Sequence, residues 1–506
     1  DKATIELISQ EDVIDYVEKP KSLYYQIERT KTAACVGSVR ADGNILSGKG
    51  VIVGVIDTGI DIFDNAFRNS DGTTRILNIY DQTTGEKYDK QSIDEYIRLN
   101  EDLSGGTFSY DNAPGVDNIM HGTDVSYIAA GSLGVAYEAD IIAVKMGYSI
   151  NNQFPRTTSL MDAIDYIIRK AIEYRKPVAV NISYGCNYGA HNGNTLLESF
   201  IDDISKSYRC VICVGSGNEA DKAIHFGGII NTGQVQTAYL SVGEYQSAID
   251  IQIWKNYWDT IDVMLINPRG EQIGIITEGR INRYETYNTE IITLLGEPSP
   301  YNIYQEIYIN LIPKTDYILS GIWQIVLMAG SIRAGEYNIW LPSSQALGYA
   351  TAFNNPTADG TITIPATARN CIAVGAYNAY TNSYAAFSGR GFDNSIRNVN
   401  AGVKPDITAP GVDISIARQR GNDITYRNVT GTSYAVPVVT GAAALLMQWG
   451  IVMGNDRFMY GEKLKAALID GSKPVGLVGI TRNDNQPDPR TGWGAVCLKN
   501  TLNKIL

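Results

Sequence analysis

An α/β fold built on a doubly wound parallel sheet, interrupted by an inserted all-β, jelly-roll-like domain, is what this 506-residue sequence predicts. Three observations carry that prediction. From residue 50, short apolar runs alternate with stretches of helical period, the pattern of strands buried on both faces between crossover helices. From about 222 to 352 the alternation gives way to short strands of period two separated by turn residues. Beyond 352 an apolar run and a long alanine-rich helical segment return to the first pattern.

In chain order, residues 1–35 form a charged lead-in, and 36–221 make the first part of the α/β body. There VIVGVID (51–57), ADIIAVKMG (139–147), PVAVNIS (177–183) and CVICVG (210–215) read as parallel strands. Between them, HGTDVSYIAAG sets Val125, Ile128 and Ala129 on one helical face. Residues 158–175 carry Leu160, Ile164, Ile167, Ile168 and Ala171, and 195–208 carry Leu197, Phe200, Ile201 and Ile204, at spacings of three and four. Such a succession implies right-handed crossovers, with functional residues at the carboxyl ends of the strands. Asp57 ends one strand, Asn181 and Ser183 end another, and Asn218 follows the last.

The insert, 222–352, contributes TAYLSVG, IDIQIW, DVMLINP, EIITLLG, QEIYINLI, GIWQIVLMAG and YNIWLP. Turns at Pro268-Arg269-Gly270 and Ala334-Gly335 punctuate them, a sandwich or jelly-roll signature. Its Trp254, Trp258, Trp323 and Trp340 are candidates for holding a carbohydrate or a partner, with core packing the preferred use. In the second part of the body, 353–506, residues 371–377 (CIAVGAY) and 412–416 (VDISI) resume the α/β pattern. A helix from about Ser433 to Trp449 follows.

Composition excludes several function classes. A net charge of −12 without a basic block argues against nucleic acid or an anionic membrane as partner. No apolar stretch reads as long enough to span a bilayer, and the first residues lack the basic start and apolar centre of a signal peptide. The six cysteines sit mostly in apolar runs and are expected as free buried thiols, which leans towards a reducing or anaerobic setting. Cys210 and Cys213 fall on opposite faces of one strand, unsuited to a redox pair or a zinc knuckle.

The chemistry lies in an acid, a histidine and a serine. All three histidines, His121, His191 and His225, precede Ser433. A nucleophile elbow at Gly431–Ala435 would need its histidine after the serine, and a double β-barrel is incompatible with the strand–helix alternation. The order Asp57, His121, Ser433 remains: a hydroxyl nucleophile, a base within reach, and a carboxylate that orients the base. Gly431 permits a tight turn, and Pro437 is expected in the first helical turn. The Ser433 N–H at the helix start and the Asn218 side chain would form an oxyanion hole. His191 reads as a loop residue and His225 as part of the insert junction. Acidic stretches at Asp57–Asp64 and Asp484–Asp488 raise structural calcium, but no EF-hand spacing occurs, and solvated loops are preferred. The chemistry itself requires no cofactor.

Seven motifs stand in order: Asp57-Thr58-Gly59, His121-Gly122-Thr123, Asn181 to Gly185 (N-x-S-x-G), Ser216-Gly217-Asn218, Ala409-Pro410-Gly411, Gly431 to Pro437 (G-T-S-x-A-x-P) and Gly492-Trp493-Gly494. The set resembles the subtilase family of serine peptidases. The resemblance implies a subtilisin-like fold and a serine endopeptidase acting on proteins or peptides through an acyl-enzyme. It implies Asp57, His121 and Ser433 as triad, Asn218 with Ser433 as oxyanion hole, and Ser183, Tyr184, Gly185, Gly215, Ser216 and Gly217 as walls of the specificity pocket. The layout is similar to clostridial spore-germination proteases and related gut-bacterial subtilases. Those carry a jelly-roll insert between the oxyanion asparagine and the serine, and a prodomain that is clipped and can stay bound. This implies a bacterial, spore-associated or secreted setting. The alternative, a subtilase-fold scaffold or signalling pseudoprotease, is disfavoured by the intact triad. Asp124 stands where many relatives have a second histidine, and Tyr434 and Val438 where methionine and histidine are common.

Overall fold

The structure, a computed structural model, describes residues 26–37, 39–41, 43–101, 113–146, 155–276, 281–297, 300, 302–392, 403–420, 423–476 and 487–506. The first half of the α/β body runs α1 (Gln26–Ala33), β1 (Ile52–Asp57), β2 (Ile76–Asp81), β3 (Glu86–Asp89), α2 (Lys90–Glu101), α3 (His121–Ala130), β4 (Asp140–Lys145), α4 (Thr157–Tyr174), β5 (Val178–Ile182), α5 (Leu196–Ser207) and β6 (Cys210–Gly215). The insert follows as β7 (His225–Ile229), β8 (Val235–Val242), β9 (Ile249–Asn256), β10 (Ile261–Ile266), β11 (Gln272–Ile276), β12 (Ile281–Glu285), β13 (Thr289–Leu295), β14 (Tyr304–Pro313), β15 (Gly321–Ala329), β16 (Glu336–Trp340) and β17 (Ala352–Phe353). The body closes with β18 (Ile372–Asn378), β19 (Ser383–Tyr384), β20 (Ile407–Pro410), β21 (Ile414–Arg420), β22 (Asp423–Val429), α6 (Thr432–Met447), α7 (Gly461–Asp470) and α8 (Leu498–Ile505).

The central sheet has the order β19-β18-β6-β5-β1-β4-β2-β3, with β20 alongside β18. Only the edge strands β3 and β19 pair antiparallel. Chain order reverses at β1, with β4 and β2 on one side and β5, β6 and β18 on the other, so the carboxyl end of β1 is a topological switch point. The apolar runs are continuous because both faces are covered. Val53 and Val55 of β1 pack with residues of α3 and α6, while Ile52 and Ile56 pack with those of α4 and α5. The same alternation puts Cys213 in the first core and Cys210 in the second. Helix α5 starts at a capping box in which Thr195 and Glu198 satisfy each other's backbone N–H groups.

The insert is two antiparallel sheets, β11-β10-β15-β8-β17 and β12-β13-β14-β9-β16-β7, around a core of their own that includes Ile253, Val263, Ile309 and Leu327. Trp323 and Trp340 are buried and Trp258 is partly exposed, so two of the four candidate tryptophans belong to packing. Four strands escaped the period reading, each at a sheet edge: β7 (HFGGI) and β11 (QIGII) are interrupted by glycine, β12 (INRYE) is polar, and β17 is two residues long.

Four expectations are corrected. Residues 412–416 do not rejoin the parallel sheet: β21 pairs with β22 in a separate hairpin, and β20 is the strand that lies parallel to β18. The half-buried alternation of ISIARQR marks a hairpin laid on the surface rather than a strand buried on both faces. Secondly, the cysteines are not all free: Cys35 and Cys497 form a disulfide across 462 positions, where α1 and the start of α8 meet, while Cys186, Cys210, Cys213 and Cys371 are free thiols. No sequence spacing announces so distant a pair. Thirdly, α6 continues through a π-helical turn to Val452, giving a 21-residue helix long and apolar enough to cross a membrane. The most apolar window of that helix is 89% buried inside the protein. Fourthly, Pro437 lies inside α6 rather than in its first turn. The first 25 residues of the charged lead-in, and Asp484, lie outside the described residues.

Candidate active site

β1 delivers Asp57 to the switch point, and α3 starts with His121. Asp57 is buried. Its Oδ1 accepts from Nδ1 of His121 at 2.6 Å and from the Thr58 N–H at 2.8 Å. Because the carboxylate only accepts, the imidazole proton sits on Nδ1 and Nε2 is left as the basic nitrogen. Burial works to depress the His121 imidazolium. The charge and hydrogen bond of Asp57 outweigh it, Asp117 adds to them, Arg427 opposes, and the net pKa is raised.

Sequence reasoning missed Asp117, which organises the start of α3. Its carboxylate accepts from the N–H groups of Met120 and Thr123 and from the hydroxyls of Thr58 and Thr123, each at 2.8 Å. Met120 takes the position of a cap without capping, so Asp117 satisfies N–H groups that the helix cannot. Asp124, fully buried one turn after His121, pairs with Arg418 and Arg427 of the β21–β22 hairpin. Arg418 also donates to the Met120 carbonyl at 2.9 Å, and Arg420 pairs with Asp61 at 2.6 Å. Asp61 is thus committed to an arginine, and Asp64 caps the short 3-10 turn at Asn65–Phe67. Among the described residues no group of three or more His, Cys, Asp or Glu is arranged to hold a metal ion.

Gly431, at φ 152°, turns the chain into α6 in a conformation closed to other residues, and Ser433 follows in the first turn, half-buried. Its N–H is one of those an α-helix leaves without an internal partner. Tyr434 places its ring 5.3 Å from the His121 ring. Asn218 Oδ1 accepts from both the N–H and the hydroxyl of Thr432, at 2.9 and 3.1 Å, so the amide NH₂ is the end that remains for an oxyanion. Having no N–H, Pro437 leaves the Ser433 carbonyl free, and Ser183 Oγ donates to it at 3.3 Å. Ser183 is itself bonded to Asn181 at 3.0 Å, and Asn181 accepts from Thr440 of α6 at 3.1 Å. One chain of hydrogen bonds therefore joins the end of β5 to the serine helix.

A Cβ on Gly185 or on Gly217 would lie 2.5 Å from the Thr363 side chain, so Thr363, unmarked by any motif, sits between segments 183–185 and 215–217. The Thr363 N–H donates to the Ser216 carbonyl at 3.0 Å. Ser216 turns its own hydroxyl inward to Ser388, and Tyr184 is largely buried, its phenol pKa raised by desolvation. Gly215 stands against Thr432. His191 and His225 both stack on Trp340.

The subtilase family model matches residues 48–299 and 334–494, its gap falling inside the insert. Among solved structures, the CspB protease of Clostridium perfringens is similar with a TM-score of 0.84 at 34% identity, over 94% of this chain and 96% of that one. Among curated proteins, the subtilase-type proteinase RRT12 of Saccharomyces cerevisiae is 33% identical over 128 residues, 25% of this chain and 23% of that protein. Subtilisin E of Bacillus subtilis is 38% identical over 107 residues, 21% and 24% respectively. The matched stretches thus span about a quarter of the length of these curated relatives.

Proposed function

The chain belongs to the subtilase family, and on that premise we propose that it is a serine endopeptidase, with residues 222–352 inserted in its catalytic domain. Ser433 attacks the peptide carbonyl, His121 takes the hydroxyl proton through Nε2 and returns it to the leaving amine, and Asp57 holds the imidazole and stabilises its charged form. The Asn218 amide and the Ser433 N–H receive the oxyanion. The observation that carries this reading is the partly buried 2.6 Å contact between Asp57 and His121 Nδ1. It fixes the tautomer a general base needs, beside the helix that carries Ser433 in its first turn. A fluorophosphonate probe is expected to label wild-type protein at Ser433, read by peptide mass spectrometry. Labelling elsewhere, or none, returns the pseudoprotease alternative.

General-base catalysis needs neutral His121, and the His121 pKa is raised. The acid limb of kcat/KM is therefore expected above pH ~6.5, the ordinary imidazole value. Arg427→Gln, which removes an opposing charge, should move it higher still. The stability linked to this shift is fully present below the unfolded-state value and is lost as pH rises through the folded one. A pH–rate profile with its limb at or below the ordinary value contradicts the assignment.

Ser183, Tyr184, Gly185, Gly215, Ser216 and Gly217 are proposed to line the pocket for the residue preceding the cleaved bond, with Thr363 as its floor. A branched floor side chain between two glycine walls admits small side chains and obstructs large ones. Thr363→Gly is expected to raise the ratio of kcat/KM for phenylalanine over alanine at that position by about tenfold or more. An unchanged ratio, measured on paired peptides, removes Thr363 from the pocket.

A further inference from the structure

The insert grips the stretch that leaves the proposed substrate wall. Directly after Gly185, residues 186–194 run across it: Asn187 Nδ2 donates to the Leu341 carbonyl at 3.3 Å, the Gly189 N–H to Gln252 at 2.8 Å, and the Tyr188 hydroxyl to Asp250 at 3.2 Å. At the centre is Trp340, buried at the end of β16. It stacks with the His191 ring at 4.1 Å and an interplanar angle of 14°, and its indole N–H donates to the Gly360 carbonyl at 2.9 Å.

His191 is held on several sides. Nδ1 lies 2.6 Å from the Ile362 carbonyl and Nε2 3.2 Å from that of Asn187, while its backbone has φ +50°, a left-handed conformation that costs a residue with a Cβ. Ile362 directly precedes Thr363. The segments on either side of this contact are laddered as well, since Cys186 and Ile364 exchange backbone hydrogen bonds at 2.9 and 2.8 Å. The wall at 183–185 and the floor at Thr363 are therefore joined twice, once by backbone and once through the His191 ring, and only the second joint touches the insert.

We infer that Trp340 and His191 are positioning residues through which the insert sets the spacing between the substrate wall and the pocket floor. This rests on the pocket assigned above and extends it to a domain that contributes no residue to the triad. A slot floored by a single threonine is sensitive to such spacing, because a shift of a few tenths of an ångström decides whether a side chain enters. The His191 ring bonds to the Ile362 and Asn187 carbonyls, whereas Ser433 and Asn218 stand on other segments.

The test uses the full chain with Trp340→Leu, His191→Gly and His191→Asn. His191→Gly removes the ring while relieving the backbone at φ +50°, so loss of fold is not its expected effect. His191→Asn keeps a side-chain donor and tolerates the left-handed backbone. The first two are expected to raise KM about tenfold for a peptide with a side chain before the cleaved bond, and to leave kcat and the fluorophosphonate labelling rate within about twofold, with partial recovery in the third. An unchanged KM in both, or labelling that falls in step with kcat, overturns the inference. Amide exchange across 183–194 provides a readout free of activity: it is expected to quicken in Trp340→Leu, and unchanged exchange overturns the coupling. Absence of labelling in the wild type, with exchange behaving as expected, would count against the peptidase assignment alone.

Discussion

Replacing Ser433 by alanine is expected to lower kcat/KM for peptide hydrolysis on the order of 10⁶-fold, a magnitude taken from subtilisin rather than derived from this structure. The change removes one hydroxyl from a half-buried position in the first turn of α6 and leaves the Asn218–Thr432 bonds, Gly431 and the Ser183 contact to the residue-433 carbonyl in place. Alanine is also the best helix former, so the fold is retained. Asp57, His121 and the oxyanion donors persist, and a residual acceleration of roughly 10³–10⁴ over water should remain. Single-turnover assays on the variant, with circular dichroism to show an intact fold, make the comparison. A variant that retains more than a hundredth of wild-type activity would mean that the nucleophile is elsewhere.

The largest expected effect on stability comes from Asp124→Ala. Asp124 is fully buried, Arg418 is nearly so, and both Arg418 and Arg427 point at its carboxylate. Deleting the acid strands the buried Arg418 guanidinium against the start of α3, while the exposed Arg427 can turn to water, and breaking a buried pair from one side costs about 3–5 kcal/mol. The penalty belongs to the uncompensated charge rather than to the attraction lost. The variant with all three residues replaced, Asp124→Leu with Arg418→Leu and Arg427→Leu, should therefore recover most of it. Urea unfolding of the two variants checks the difference. If the single and the triple variant are equally destabilised, packing rather than charge dominates. Because the hairpin arginines also bond the Met120 carbonyl, directly before His121, the single variant is expected to lose turnover beyond its loss of folded protein.

Much of this arrangement was legible because it obeys local periods. Four of the five parallel strands before the insert come from unbroken apolar runs, and α4 and α5 from spacings of three and four. Asp57, His121, Asn218 and Ser433 stand at strand ends and helix starts, where an α/β sheet collects its functional groups. What was not legible depends on partners distant in sequence. Asp117 is an unremarkable loop acid until α3 needs its N–H groups satisfied. Thr363 is proposed as a pocket floor only because Gly185 and Gly217 lie on either side of it. The VDISI run reads as a strand of the body and forms a hairpin instead, because five residues of strand period cannot say whether one face or two will be covered. By sequence Pro437 reads as a first-turn residue, and its position inside α6 proves more useful, since the carbonyl it frees ties Ser183 to the serine helix.

The cysteines show the same limit. Cys210, Cys213 and Cys371 are buried thiols whose pKa values are pushed up to about 12, 12 and 11 by desolvation, as their apolar neighbours foretell. Cys35 and Cys497 look no different in sequence, yet they are bonded. Secondary structure and the order of chemical groups follow from interactions within a few residues, and the sequence by itself determined those. The hairpin that neutralises Asp124, the Cys35–Cys497 disulfide, and the hold of the insert on residues 187–191 pair groups from 62 to 462 positions apart. Their identity depends on which surfaces the folded sheet brings together, and only the tertiary structure decided that.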